Sequence, residues 1–205
     1  MSTDVLTNKR GSDKVKRMVQ IGMLSAIAVV LMLFEIPLPF APPFYKIDFS
    51  EIPVMIGGFA MGPMAAVVIE FVKIVLNLII NGTMTAGIGE LANFLIGIAL
   101  VLPAALIYKK KKTRKAAALG MGIGTLFMTL VGSVLNAFVL LPTYAKAFSM
   151  PLEGLVEMGT AINKSITNLF TFVAFAVAPF NLLKGILVSI IVFFMYKKVS
   201  SLLKG

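Results

Sequence analysis

Residues 50–80 read "SEIPVMIGGFAMGPMAAVVIEFVKIVLNLII". A helix crosses the hydrocarbon of a bilayer with about 20 apolar residues, within a range of about 17 to 25. This stretch is too long for one crossing, and Gly57, Gly58, Gly62 and Pro63 interrupt its middle. Glycine and proline together mark a break between two helices. Whether the stretch supplies two crossings or none fixes the number for the whole chain.

The positions of the basic residues exclude a single crossing. Lys9, Arg10, Lys14, Lys16 and Arg17 precede the first apolar run. Lys109 to Lys112 with Arg114 and Lys115 lie mid-chain, and Lys197, Lys198 and Lys204 follow the last run. Clusters that flank apolar runs set topology, and all three are expected on the cytoplasmic side. Between the first and second clusters the chain must then cross an even number of times. Four spans are plain, at 18–35, 89–108, 116–141 and 179–196, so 50–80 must add two crossings or none, and two, one on each side of its glycine–proline break, gives six. The expected fold class is all-α: a polytopic membrane protein of six transmembrane helices with both termini cytoplasmic. A basic tail (1–17) leads into one membrane domain (18–198), and a short cytoplasmic tail (199–205) ends the chain.

Composition agrees. The chain has 205 residues, 59% of them hydrophobic and 14% charged, more apolar surface than a soluble domain of this size can bury. The net charge of +10 belongs to the flanking clusters, which argues for membrane lipid and against nucleic acid as the surface these residues meet. Cysteine and histidine are both absent, which removes thiolate chemistry, the usual general base and the commonest metal ligand. No catalytic constellation remains, so no enzyme and no cofactor or metal is expected. The first apolar run is too long for a signal-peptide core and is followed by "EIPLP", which offers no small-residue cleavage site.

Six helices place 36–49, 81–88 and 142–178 outside, the last as a partly helical cap. Polar residues within the spans then become informative, because an ionisable group at mid-bilayer costs about 2.5–3.5 kcal/mol and faces protein or water instead. Asn77, Glu90, Asn93, Asn136, Asn181 and Lys184 all map to the outer third of the membrane, from four different helices. Agreement in depth points to a polar-lined pocket opening outward. Asparagine presents a donor and an acceptor on one planar amide, which suits the imide or amide edge of a flat heterocycle, and lysine adds donors only. Glu70 and Lys73, three residues apart, read instead as a self-neutralising ion pair. Gly22 and Ala26 on the first span form a small-residue step that suits close helix packing, within the bundle or against another membrane protein. "GMGIG" (Gly120–Gly124) lies within a span and reads as close helix packing, not as a nucleotide loop. No GxxxxGK[ST] motif is present, so any ATP-driven transport needs partner subunits.

Four segments carry a family resemblance: "PFAPPFYKIDFSEIPVMIGGFAMGP" (39–63), "ELANFLIG" (90–97), "LNAFVLLP" (135–142) and "APFNLLKGI" (178–186). Together they resemble the riboflavin-specific S component of energy-coupling-factor (ECF) vitamin transporters. The resemblance implies a bacterial plasma-membrane subunit that captures riboflavin from outside. It also implies a transmembrane coupling subunit and two ABC-type ATPase subunits as partners. It carries the flavin contacts onto Asn136, Asn181 and Lys184. Phe44, Tyr45, Lys46, Ile47 and Asp48 become a loop that closes over the ring, and Ala92 and Asn93 part of the wall. Gly22 and Ala26 become the docking face for the coupling subunit. Two alternatives stand beside this reading: an S component for thiamine, biotin or a related vitamin, and a membrane scaffold whose polar residues only join helices.

Overall fold

A computed structural model describes residues 3–38, 45–83 and 85–204. Helix α1 (Thr3–Leu33) carries the basic segment and the first apolar run on one continuous rod. Its buried stripe, Leu24, Ser25, Ala28, Val29 and Met32, recurs at helical spacing, while Met23, Ile27 and Val30 point outward. A two-residue ladder follows, β1 (Ile36–Pro37) antiparallel to β2 (Lys46–Ile47), pairing Ile36 with Ile47 and Pro37 with Lys46.

The decisive stretch folds as two helices, α2 (Glu51–Met61) and α3 (Pro63–Asn81). They break at Gly62, whose φ of 98° is open to glycine and strained for other residues. Pro63 opens α3 at the position where its missing N–H costs nothing. Helix α2 has 11 residues, roughly 16 Å of rise, and so reaches only about halfway across a hydrocarbon core. The segment before it therefore dips into the bundle. Such irregular backbone is tolerated at membrane depth only where protein covers it. Tyr45, Ile47, Asp48, Ser50 and Glu51 are all buried.

Helix α4 (Ile88–Lys110) packs closely on α5 (Arg114–Leu135). A Cβ on Gly120 would sit 3.0 Å from the Ala104 Cα, and one on Gly124 would run into the Leu100 carbonyl oxygen. "GMGIG" is thus a close-packing seam. Helix α5 does not stop at 141. A π-helical turn, Asn136–Leu140, carries it into α6 (Leu141–Ala147), and a short α7 (Leu152–Thr160) follows. The last helix also starts earlier than the sequence suggests. Asn168 caps α8 (Leu169–Phe172) in a capping box with Thr171, and a second π-turn, Val173–Val177, leads into α9 (Ala178–Lys204). Each π-turn ends two positions before a proline, at Leu140 before Pro142 and at Val177 before Pro179. A widened turn accommodates the proline ring and its missing donor, so the helix continues where a break was expected. Most of the expected 142–178 loop is therefore helix.

Among the described residues five helical stretches are long and apolar enough to cross a membrane: Asp13–Leu33, Pro63–Asn81, Ile88–Lys110, Arg114–Ala147 and Leu169–Val199. Glu51–Met61 is apolar but shorter than these five. The core runs through Leu24, Met55, Phe59, Ile69, Leu100, Met128, Val188 and Tyr196. A second cluster, Tyr45, Leu141, Leu155, Ile166, Phe172 and Val177, lies at the end where α5 and α6 meet α7 and α8.

Candidate functional site

Between these clusters lies a cavity of about 210 Å³. Asn136 opens the π-turn after α5, whereas Asn181 and Lys184 sit on successive turns of α9, and all three are buried and line this cavity. Each asparagine anchors its amide nitrogen on its own helix: Asn136 Nδ2 donates to the Gly132 carbonyl at 2.8 Å and Asn181 Nδ2 to that of Val177 at 3.0 Å. Gly132 also makes room, since a Cβ there would lie 2.8 Å from Asn181 Nδ2. With the nitrogens fixed, the Asn181 carbonyl oxygen and the second N–H of each amide remain to define the recognition edge.

The segment 45–48 closes over this wall. The Tyr45 hydroxyl donates to Asn136 Oδ1 at 2.7 Å, and Lys184 Nζ donates to Asp48 Oδ2 at 2.7 Å. Tyr45 also packs its ring on Phe180, with centroids 5.0 Å apart. At the mouth Lys46 pairs with Glu35 at 2.6 Å, and both are half exposed, so this pair contributes little. Asp48 is fixed further by Ser50, whose backbone N–H donates to Oδ1 at 2.9 Å and whose hydroxyl donates to the same oxygen.

The other sequence candidates divide. Tyr45, Lys46, Asp48 and Asn93 line the same cavity, with Tyr144, Phe180 and Met128 completing it. Ile47 and Ala92 are buried nearby without reaching the lining. Phe44 lies outside the described residues. Asn77 is placed away from the cavity and accepts from Asn81 Nδ2 at 2.9 Å. Glu90 is also outside the lining and accepts from Thr83 at 3.0 Å and Thr85 at 3.4 Å, organising the turn into α4. Gly22 and Ala26 face outward on α1, and nothing lies within 4 Å of a Cβ built on Gly22.

Glu70 and Lys73 do pair, at 2.8 Å, as their spacing suggests. Sequence reasoning missed Glu51, which meets Lys73 Nζ at 2.8 Å, and Ser50, which meets it at 3.2 Å. The signal was available in "SEIP", where an acid opens a short buried helix. Gly97 leaves the space for this cluster, since a Cβ there would collide with Glu70 Oε1. A continuous polar chain thus links Lys184, Asp48, Ser50, Lys73 and Glu51.

A helical membrane bundle with a small cavity of amides, a lysine and aromatics is the build of a solute-binding membrane component. Comparison with known proteins narrows the class. The family model described as "ECF transporter, substrate-specific component" matches residues 16–196. The riboflavin transporter RibU of Staphylococcus aureus is 38% identical over 189 residues, covering 92% of this chain and 93% of that protein. The riboflavin transporter FmnP of Bacillus subtilis is also 38% identical, covering 87% and 88%. A solved structure described as the S component of a bacterial ECF transporter superposes with a TM-score of 0.71 at 36% identity, covering 94% of this chain and 99% of that one. The chain belongs to the substrate-specific components of ECF transporters, a family of transport subunits and not of enzymes.

Proposed function

We propose that this chain is the riboflavin-binding subunit of an ATP-driven ECF-type importer. Asn136, Asn181 and Lys184 hydrogen-bond the polar edge of the flavin, and Tyr45 and Phe180 cover its ring system. The observation that carries this reading is the convergence of two amides and an ammonium on one wall, beneath a segment bound to the same groups. Because Tyr45 and Asp48 occupy Asn136 and Lys184, ligand entry requires the 45–48 segment to lift and exchange partners. The cavity of about 210 Å³ is also below the roughly 300 Å³ at which ligand pockets begin, so opening must enlarge it.

In this reading six helices cross the bacterial plasma membrane, with α2 and the buried 45–50 segment together making the second crossing. Both termini and the basic clusters lie in the cytoplasm, and the pocket opens outward. The chain carries no nucleotide-binding loop, so a transmembrane coupling subunit and two ATPase subunits supply the energy. The exposed Gly22 and Ala26 offer α1 a face for close helix contact with the coupling subunit.

The test is the absorption spectrum of the protein purified from riboflavin-supplied cells. A flavin band that co-elutes at one per chain is expected. A colourless protein that stays colourless after incubation with riboflavin contradicts the assignment.

A further inference from the structure

A second cavity, of about 290 Å³, opens at the other end of the bundle, where α2 breaks into α3. Arg17 of α1, Lys109 near the end of α4 and Lys112 just beyond it line this cavity, and no carboxylate does. Arg17 is anchored there by donating to the Met61 carbonyl, left open at the end of α2, at 3.0 Å. A guanidinium has four further N–H donors to offer. Among the described residues neither lysine pairs with an acid.

Tyr108 lines the same cavity, with its ring packed on Phe59 and Tyr196, and brings a hydroxyl donor to its wall. The positive end of α3, a 19-residue helix, begins on the same wall at Pro63. All of this favours an anion with several acceptor oxygens. Beside the cations stand Met18 and Met64, 63% and 67% exposed, an apolar flank at the depth where a span ends.

We propose that this cavity is a phosphate site, taking the headgroup of an anionic phospholipid from the leaflet at this end, with the acyl chains lying along Met18 and Met64. The proposal does not rest on the identity of the vitamin.

Native mass spectrometry of the full chain in detergent, titrated with phosphatidylglycerol or phosphatidylcholine, tests it. One phosphatidylglycerol should bind per chain, favoured over phosphatidylcholine by about tenfold or more. Replacing Arg17, Lys109 and Lys112 together by Gln should abolish the preference. Replacing Lys115, Lys197 and Lys198 by Gln, the same charge removed from the same end but outside the cavity, should preserve it. Tyr108→Phe, which keeps every charge, should weaken phosphatidylglycerol by about threefold. Should the triple cavity variant not fold, Lys109→Gln and Tyr108→Phe carry the test. Equal loss in both triple variants would reduce the effect to diffuse surface charge and overturn the site. Retention of inorganic phosphate without a lipid preference would assign the cavity to a soluble anion and overturn the lipid. No preference in the unmodified chain overturns the proposal too, and leaves the cations to a protein partner's carboxylates.

Discussion

Two buried lysines, Lys73 and Lys184, solve the same problem differently. Lys73 is fully enclosed: its ammonium hydrogen-bonds Glu51 and Ser50 and forms an ion pair with Glu70 at 2.8 Å. Packed on all sides by these partners, it has no face to offer a ligand. Lys184, 7% exposed at a cavity wall, meets one carboxylate, Asp48, among the described residues. Two donors remain for another molecule. Enclosure by two carboxylates and a hydroxyl, against a place on a cavity wall with one carboxylate, separates the lysine that holds helices from the lysine that can bind.

The comparison breaks first at Lys73. Lys73→Met would leave Glu51 and Glu70 buried without a counter-charge, at a cost of about 3–5 kcal/mol. The expected result is a protein that melts far lower in detergent, or does not accumulate, as thermal denaturation would show. Melting close to that of the unmodified chain would mean the two carboxyls were never charged together.

Lys184→Gln should act on binding instead. Asp48 keeps both hydrogen bonds from Ser50, so stability changes less than at Lys73. Flavin affinity should fall by about 1 kcal/mol, roughly fivefold, or more where an acceptor is left buried and unpaired. Asn136→Ala should lower affinity by a similar amount, read by equilibrium titration.

Tyr45→Phe sharpens the comparison, because it removes the hydroxyl that occupies Asn136 in the closed segment. Association of flavin should quicken by a few-fold in stopped-flow quenching, with affinity held or improved. Slower association would make the Tyr45 hydroxyl a hydrogen-bonding contact to the ligand and not a latch. The smallest effect belongs to Asn77→Ala, which should leave affinity unchanged, since Asn77 bonds Asn81 outside the cavity.

Much of this was legible in the sequence for a physical reason: depth along a helix can be counted, residue by residue. Counting put Asn136, Asn181 and Lys184 at one level, and the glycines with Pro63 marked the break within 50–80 while cluster parity excluded a single crossing. Azimuth is harder to count when polar residues are few. Asn77 and Glu90 share the depth but are spent on Asn81 and on the Thr83–Thr85 turn. Partners brought in by the irregular 45–50 segment and by the helix start that follows it, Asp48 for Lys184 and Glu51 for Lys73, lie on other elements than their lysines and could not be read from spacing. Nor could the helix ends around Pro142 and Pro179, where π-turns carry the chain past residues that ordinarily stop a helix.

The central claim is that Lys184, with the two asparagines, recognises riboflavin. Titration of the purified chain and its Lys184→Gln variant, followed by quenching of riboflavin fluorescence, tests it most directly. Saturable one-to-one quenching by the unmodified chain, weakened about fivefold or more in a variant that melts normally, is the predicted result. Identical curves for the two proteins, or no quenching by either, would contradict it.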